Sequence, residues 1–98
     1  MPRVLNVKEG RPQGAVYCGR GGKVVFTNSS GREWLLGNPY VIGPDGDRAM
    51  VIAKHRCDVY LDPEFMEWLR QNLRGKDLLC FCAPLPCHCD TYLDIANR

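Results

Sequence analysis

The chain has no apolar run long enough to span a membrane, and its first residues lack the apolar region of a signal peptide. These absences predict a cytoplasmic protein with no membrane partner, in a reducing compartment. Clustered cysteines in such a compartment are more often metal ligands or free thiols than disulfides. Three disulfides built from the six cysteines are the alternative for an exported chain.

The chain also has little net charge, because 13 basic residues nearly balance 11 acidic ones. Charge therefore gives only weak support to nucleic acid as a partner. The glycine-rich stretch at residues 19–22 has the spacing of neither a P-loop nor a dinucleotide fingerprint. There is no internal repeat, linker or low-complexity tail, so residues 1–98 are predicted to form a single domain. Its core would be small, and a structural staple would help it.

Short apolar segments alternate with turn-forming glycines and prolines along the whole chain. The predicted strands cover residues 3–8, 15–18, 23–27 and 78–82. The predicted helices cover about residues 48–60, 62–73 and 87–96. Residues 32–36 stay ambiguous between helix and strand. The strand at residues 78–82 lies between two helices, which favours a central, parallel position. We predict a compact α/β (or α+β) domain, with a small, mainly parallel sheet of three to five strands and about three helices.

The first predicted helix follows Asp47, or Asp45, either of which can cap its free amides. Helical spacing predicts a buried face made of Met50, Ala53, Cys57 and Tyr60. Off that face lie Arg48, Lys54, His55 and Arg56. These residues form either a solvated surface or a basic surface that contacts phosphate. We expect His55 to be exposed.

The most informative stretch is residues 78–90, which contains four of the six cysteines and one of the two histidines. Alternation along a strand would place Cys80 and Cys82 on one face. Two prolines stiffen the turn that follows. Cys87 and His88 then fall where a helix begins, and the helix dipole there favours a thiolate.

Three interpretations of this stretch stay open. Thiolates and imidazole are the usual zinc ligands, and a closed site needs four. Cys80, Cys82 and Cys87 could supply three, with His88 or Cys89 as the fourth. The second interpretation is catalysis, with Cys87 as nucleophile and His88 or Asp90 nearby. In the third, the cysteines are simply small buried residues.

Topology adds a separate argument for a ligand site. Ligands in open α/β sheets bind beyond the carboxyl ends of strands, against helix N-termini. The turn before the last helix is such a place, and the glycine-rich turn with Arg20 could lie beside it. Asn38 precedes a proline, which would hold its side chain in a fixed direction. We therefore expect a small anionic ligand to be bound by Arg20, Asn38, Arg48 and His88.

Several motifs together are similar to those of a known family. They are Tyr17-Cys18-Gly19-Arg20, Gly37-Asn38-Pro39-Tyr40, Gly46-Asp47-Arg48, Leu73-Arg74-Gly75-Lys76, Cys80-Phe81-Cys82-Ala83-Pro84, Pro86-Cys87-His88 and Asp90. The chain resembles a family of small domains of unknown function found in phages, prophages and bacteria. The resemblance implies a phage origin and an intracellular site, but no activity. The family usually has glycine where Cys89 stands, which favours Cys80, Cys82, Cys87 and His88 as the zinc ligands.

The leading hypothesis is a phage-encoded, intracellular domain that binds a small anionic or nucleotide-type ligand near the Cys/His turn, with a structural zinc. One alternative is an enzyme that acts on a nucleotide or nucleic acid. Arg20 would then bind phosphate, and Cys87, His88 or Asp90 would act in catalysis. The other alternative is a non-catalytic phage protein that binds a host protein. Whether the chain is an enzyme stays open.

Overall fold

A computed structural model describes residues 2–98, and within that range the chain forms five short strands and three α-helices. The strands are β1 (Val4–Asn6), β2 (Val16–Tyr17), β3 (Phe26–Thr27), β4 (Glu33–Trp34) and β5 (Leu78–Cys80). The helices are α1 (Arg48–Tyr60), α2 (Pro63–Leu73) and α3 (His88–Ala96). A 3₁₀ turn at Val7–Glu9 follows β1. None of the described helices is long and apolar enough to cross a membrane.

The main sheet has three parallel strands in the order β1-β5-β2. All three residues of β5 are buried, as expected for the central strand of a covered parallel sheet. The predicted central position of the segment at residues 78–82 is confirmed, although the strand ends at Cys80. A separate antiparallel pair, β3 and β4, resolves the ambiguity at residues 32–36 in favour of a strand. The predicted small, mainly parallel α/β fold is therefore confirmed.

Aromatic stacking joins the antiparallel pair to the helices. The ring of Phe65 on α2 stacks on Trp34 with centroids 4.2 Å apart, and the Phe26 ring centroid lies 6.1 Å from that of Phe65. Tyr92 of α3 meets the Phe65 ring edge-on at 6.1 Å. Both Phe65 and Tyr92 are fully buried. These contacts give a small domain one continuous core.

Side-chain caps fix where the helices begin. Asp47 accepts a hydrogen bond from the Met50 amide at 2.9 Å, so its predicted capping of α1 is confirmed. Asp62 caps α2 in the same way through the Phe65 amide at 3.1 Å. In α3 the residue at the cap position is Cys87, whose own amide donates to Asp90. The chain therefore places a thiol at the start of α3.

The predicted buried face of α1 is wrong. The residues that α1 buries are Val51, His55 and Val59, whereas Met50 is 50% exposed and Ala53 and Cys57 are also exposed. His55 is fully buried because Tyr92 of α3 places a hydroxyl 3.0 Å from its Nε2. Because Tyr92 lies on another helix, the spacing of apolar residues within α1 could not indicate that the face with His55 is the buried one.

Candidate functional site

The site lies where the carboxyl ends of β2 and β5 meet the first turn of α3. Cys18 directly follows β2, Cys80 ends β5, and Cys87 precedes α3. In parallel sheets this edge, with a helix N-terminus beside it, is the usual place for a ligand. The topology thus brings together residues that are distant in the sequence, such as His88 and Cys18, which are 70 positions apart.

Four buried thiols, here named the thiol cluster, meet at this edge: Cys18, Cys80, Cys87 and Cys89. The Sγ atoms of Cys80, Cys87 and Cys89 lie within 4.8 Å of one another, close enough for three cysteines to hold one metal ion. Cys80 Sγ and Cys87 Sγ are 3.3 Å apart. The fourth thiol, Cys18, interacts with Cys89. All four are free thiols rather than disulfides.

Contacts within the thiol cluster shift the pKa values of its members in opposite directions. A hydrogen bond from Cys89, supported by one from Cys80, lowers the pKa of Cys87 to about 6, although burial acts in the opposite direction. Contacts with Cys18 and Cys87, together with burial, raise the pKa of Cys89. Burial and the hydrogen bond to Cys87 raise the pKa of Cys80. Cys87 is therefore the member best suited to be a thiolate at neutral pH.

The thiol cluster differs from the predicted ligand set at two positions. Cys82 is only half-buried and lies outside the group of three that could hold a metal. The reason is that β5 ends at Cys80 and the chain turns, so strand alternation does not continue to Cys82. Asn6 holds this turn by donating to the carbonyl oxygens of Phe81 (3.3 Å) and Ala83 (2.9 Å). Cys89, fully buried, takes part instead.

His88 also faces away from the group of three. Its Nε2 lies 2.7 Å from the carbonyl oxygen of Cys18 and 2.9 Å from that of Leu36. Both partners are acceptors, so Nε2 carries a proton that the two carbonyls share. Burial lowers the pKa of His88, which favours the neutral ring. His88 thus connects the end of β2 to the segment after β4.

A cleft of about 360 Å³ opens beside this connection. Its lining includes Arg20, Gly21, Arg32, Trp34 and Asn38. The two walls approach so closely that a Cβ on Gly37 would lie 3.0 Å from the Gly19 carbonyl oxygen and 3.1 Å from Arg20 Cα. Only glycine fits at residue 37 without moving the backbone.

Two arginines and one acidic residue, Glu33, line the cleft and leave it with a net positive charge. Arg20 donates from Nη2 to the carbonyl oxygen of Tyr40 at 2.9 Å. The guanidinium carbon of Arg32 lies 3.9 Å above the Trp34 ring, and an ion pair to Asp58 spans 3.7 Å. The Arg32 guanidinium is thus held against an aromatic surface. The cleft therefore combines a net positive charge with a cationic group over an aromatic ring.

The predicted ligand-binding residues take different positions. Arg20 and Asn38 line the cleft, as the hypothesis of a shared pocket requires. Asn38 also supports the wall of the cleft. Its Nδ2 donates to the carbonyl oxygen of Val51 (3.2 Å), and its Oδ1 accepts from the backbone amide of Tyr40 (2.9 Å). His88 lies behind the walls and joins them. Arg48 points elsewhere, towards the carbonyl oxygen of Pro86 at 3.2 Å.

Within residues 2–98, the contacts of the three catalytic candidates do not join a nucleophilic side chain to a basic one. His88 faces two carbonyl oxygens, and Asp90 Oδ2 accepts from the Cys87 amide at 3.0 Å. The Cys87 thiol contacts Cys80. Covalent catalysis usually shows a nucleophile and a base within hydrogen-bond reach of each other. The contacts described for Cys87, His88 and Asp90 do not include such a pair of side chains.

Of the thiol cluster, Cys18 was not predicted, and Cys89 was only an alternative to His88 as the fourth ligand. For Cys18 a signal was present, since it directly follows a strand whose carboxyl end faces the same edge as Cys80. Cys89 was set aside on the resemblance alone. Its position in the first turn of α3 places it beside Cys87, which caps the same helix.

The fold and site define a small α/β domain with a buried thiol cluster and a basic cleft at the carboxyl edge of a parallel sheet. The chain belongs to the family described as Domain of unknown function (DUF4326), whose sequence profile matches residues 5–98. No curated protein and no solved structure matches the chain. The phage origin implied by the resemblance stays a prediction.

Proposed function

We propose that the protein binds a small anionic ligand of the nucleotide type in the cleft beside Arg20. The observation that carries this proposal is the glycine-rich turn at residues 19–22, which presents a cationic side chain together with backbone amides. The amides of Arg20 and Gly21 donate to no acceptor within residues 2–98. Successive free N–H groups next to an arginine are a common arrangement for binding phosphate oxygens.

The rest of the cleft suits the other part of a nucleotide. A volume of about 360 Å³ lies within the usual range for ligand sites. The planar guanidinium of Arg32, supported by Trp34, offers a surface on which a base can stack. Asn38 and His88 use their polar atoms to hold the walls, so their role in this proposal is to position Arg20. Because Asp90 bonds the Cys87 amide rather than its thiol, and His88 faces two carbonyl oxygens, we propose binding rather than catalysis.

The proposal is tested by calorimetric titration of the reduced, full-length chain with ATP, pyrophosphate and adenosine. We expect ATP to bind more tightly than adenosine, because the phosphates supply the charge that Arg20 attracts. Arg20→Gln should weaken ATP binding by about tenfold or more, the usual worth of a charge-assisted hydrogen bond. Bound ATP should also raise the melting temperature of the wild-type protein.

Arg70→Gln is the matched control. Arg70 lies on α2, is not among the residues that line the cleft, and pairs with Glu67 at 3.4 Å. Its loss should leave ATP affinity unchanged. The proposal is wrong if neither ATP nor pyrophosphate binds, or if Arg20→Gln and Arg70→Gln have equal effects. Failure of all three compounds would favour the alternative of a protein partner.

A further inference from the structure

We propose that Cys18, Cys80, Cys87 and Cys89 together bind one thiophilic divalent metal ion, zinc, in a closed site of four thiolates. This ligand set shares only Cys80 and Cys87 with the set that the sequence predicted. The site would be structural, because four protein ligands leave no coordination position for water or substrate.

The distances between the sulfur atoms suit a tetrahedral ion. Zinc–sulfur bonds of about 2.3 Å place the sulfurs of a tetrahedral site about 3.8 Å apart. Cys80 Sγ and Cys87 Sγ are 3.3 Å apart, and Cys89 Sγ lies within 4.8 Å of both. Separations on this scale need adjustments of about half an ångström to one ångström to enclose a zinc ion.

Cys18 would complete the set from outside the group of three whose sulfurs lie within 4.8 Å of one another. Its side chain is fully buried, interacts with Cys89, and lies 3.6 Å from the carbonyl oxygen of Val16. A rotation about its own side-chain bond would exchange that weak contact for a metal bond. Because Cys18 directly follows β2, whereas the other three lie at the end of β5 and the start of α3, its inclusion would tie a third segment to the site.

The start of α3 favours part of the negative charge that four thiolates and one divalent cation would carry, while burial and the Asp90 carboxylate oppose it. Cys87 and Cys89 lie at the start of α3, where unpaired amides and the helix dipole stabilise anions. His88, between them, bonds the Cys18 carbonyl at 2.7 Å and so holds the residue after β2 against the helix. An outer contact of this kind orients a ligand without contacting the metal.

The ion would connect segments that are otherwise joined by few hydrogen bonds. The strands β2 and β5 have only two and three residues. A domain of 98 residues has a small core, and binding energy from a structural zinc adds directly to its folding energy. The metal-bound thiol cluster would thus stabilise the edge of the sheet beside which the cleft lies.

The test is a titration of the reduced, metal-free, full-length protein with Zn²⁺ and, separately, with Co²⁺. We expect one ion per chain, a higher melting temperature with zinc, and a cobalt spectrum with thiolate charge-transfer and tetrahedral ligand-field bands. These measurements use the wild-type chain, so they stand even if a cysteine variant fails to fold. Absence of metal binding by the reduced protein would overturn the proposal.

Single variants then identify the ligands. Replacing each member of the thiol cluster with serine should reduce zinc affinity by more than the ~10–100-fold that loss of an outer contact costs. Cys57→Ser and Cys82→Ser are the matched controls, since these two cysteines lie outside the cluster, and both should bind zinc as the wild type does. Loss of zinc in Cys82→Ser with retention in Cys89→Ser would overturn the proposed set in favour of the one that the sequence predicted.

Discussion

His88 Nε2 lies 2.7 Å from the carbonyl oxygen of Cys18, and this contact joins the first turn of α3 to the end of β2. The same nitrogen is 2.9 Å from the carbonyl oxygen of Leu36. One buried N–H therefore holds both walls of the cleft. Two carbonyls that share a single donor depend on it strongly, because a buried acceptor without a partner is costly.

Loss of this donor should destabilise the protein. We expect His88→Ala to lower the free energy of unfolding by about 1–3 kcal/mol, the usual penalty for leaving buried polar groups unpaired. His88→Gln places an amide N–H near the position of Nε2 and should recover part of that loss. Urea denaturation of the reduced protein at a fixed zinc concentration measures both. Equal loss in the two variants would show that the imidazole acts only by filling space.

Close packing at Gly37 leads to a second prediction. A methyl group there would lie 3.0 Å from Gly19 O and 3.1 Å from Arg20 Cα, so a backbone segment must move. Gly37→Ala should destabilise the protein by about 1–3 kcal/mol and weaken ATP binding, since Arg20 moves with its turn. Gly22→Ala is the control for stability alone, because a Cβ at that residue meets nothing within 4 Å. Chemical denaturation should show a change within about 1 kcal/mol for Gly22→Ala.

The two aspartate caps should differ in importance. Asp62 accepts hydrogen bonds from Trp34 Nε1 and Asn28 Nδ2, both at 2.7 Å, besides capping α2. Asp62→Ala should therefore cost about 2–4 kcal/mol, the sum of a cap and a buried acceptor. Asp47 is exposed and its described cap contact is to Met50, so Asp47→Ala should cost about 1 kcal/mol. Thermal unfolding of the two variants compares them directly.

Much of the fold could be predicted because its signals are local. The cap at Asp62, the proline that follows, and the apolar spacing of Phe65, Leu69 and Leu73 together define α2. The failure on α1 is instructive, because both of its faces carry apolar residues at helical spacing. The side that is buried depends on Tyr92, which pairs with His55 from α3, and no local pattern contains that information.

The candidate site was predicted in place but not in detail. Parallel topology indicated that the turn after β5 and the turn after β2 lie at one edge, and Arg20 and Asn38 do share a cleft. The grouping of thiols depends on where β5 ends. Strand alternation pairs Cys80 with Cys82, but the chain turns after Cys80, and the group contains Cys89 instead.

His55 provides a prediction about pH. It is fully buried, and among the described residues its Nδ1 has no hydrogen-bond partner. Burial, and to a smaller extent the nearby His88, lowers the pKa of His55 to about 3, with Arg32 acting in the same direction and Asp58 opposing it. The unfolded chain has the ordinary pKa of 6.5, so it takes up a proton that the folded protein excludes.

Stability that depends on neutral His55 is therefore complete above pH ~6.5 and is lost as the pH falls towards 3. We expect the wild-type free energy of unfolding to fall, relative to His55→Leu, by about 1.4 kcal/mol for each pH unit below 6.5. Urea denaturation at several values between pH 7 and about 4 gives this difference, in which titrations common to both proteins cancel. If the free energy of unfolding of the two proteins changed equally with pH, His55 would take up its proton in the folded state as readily as in the unfolded chain. That result would contradict the effect expected from its burial.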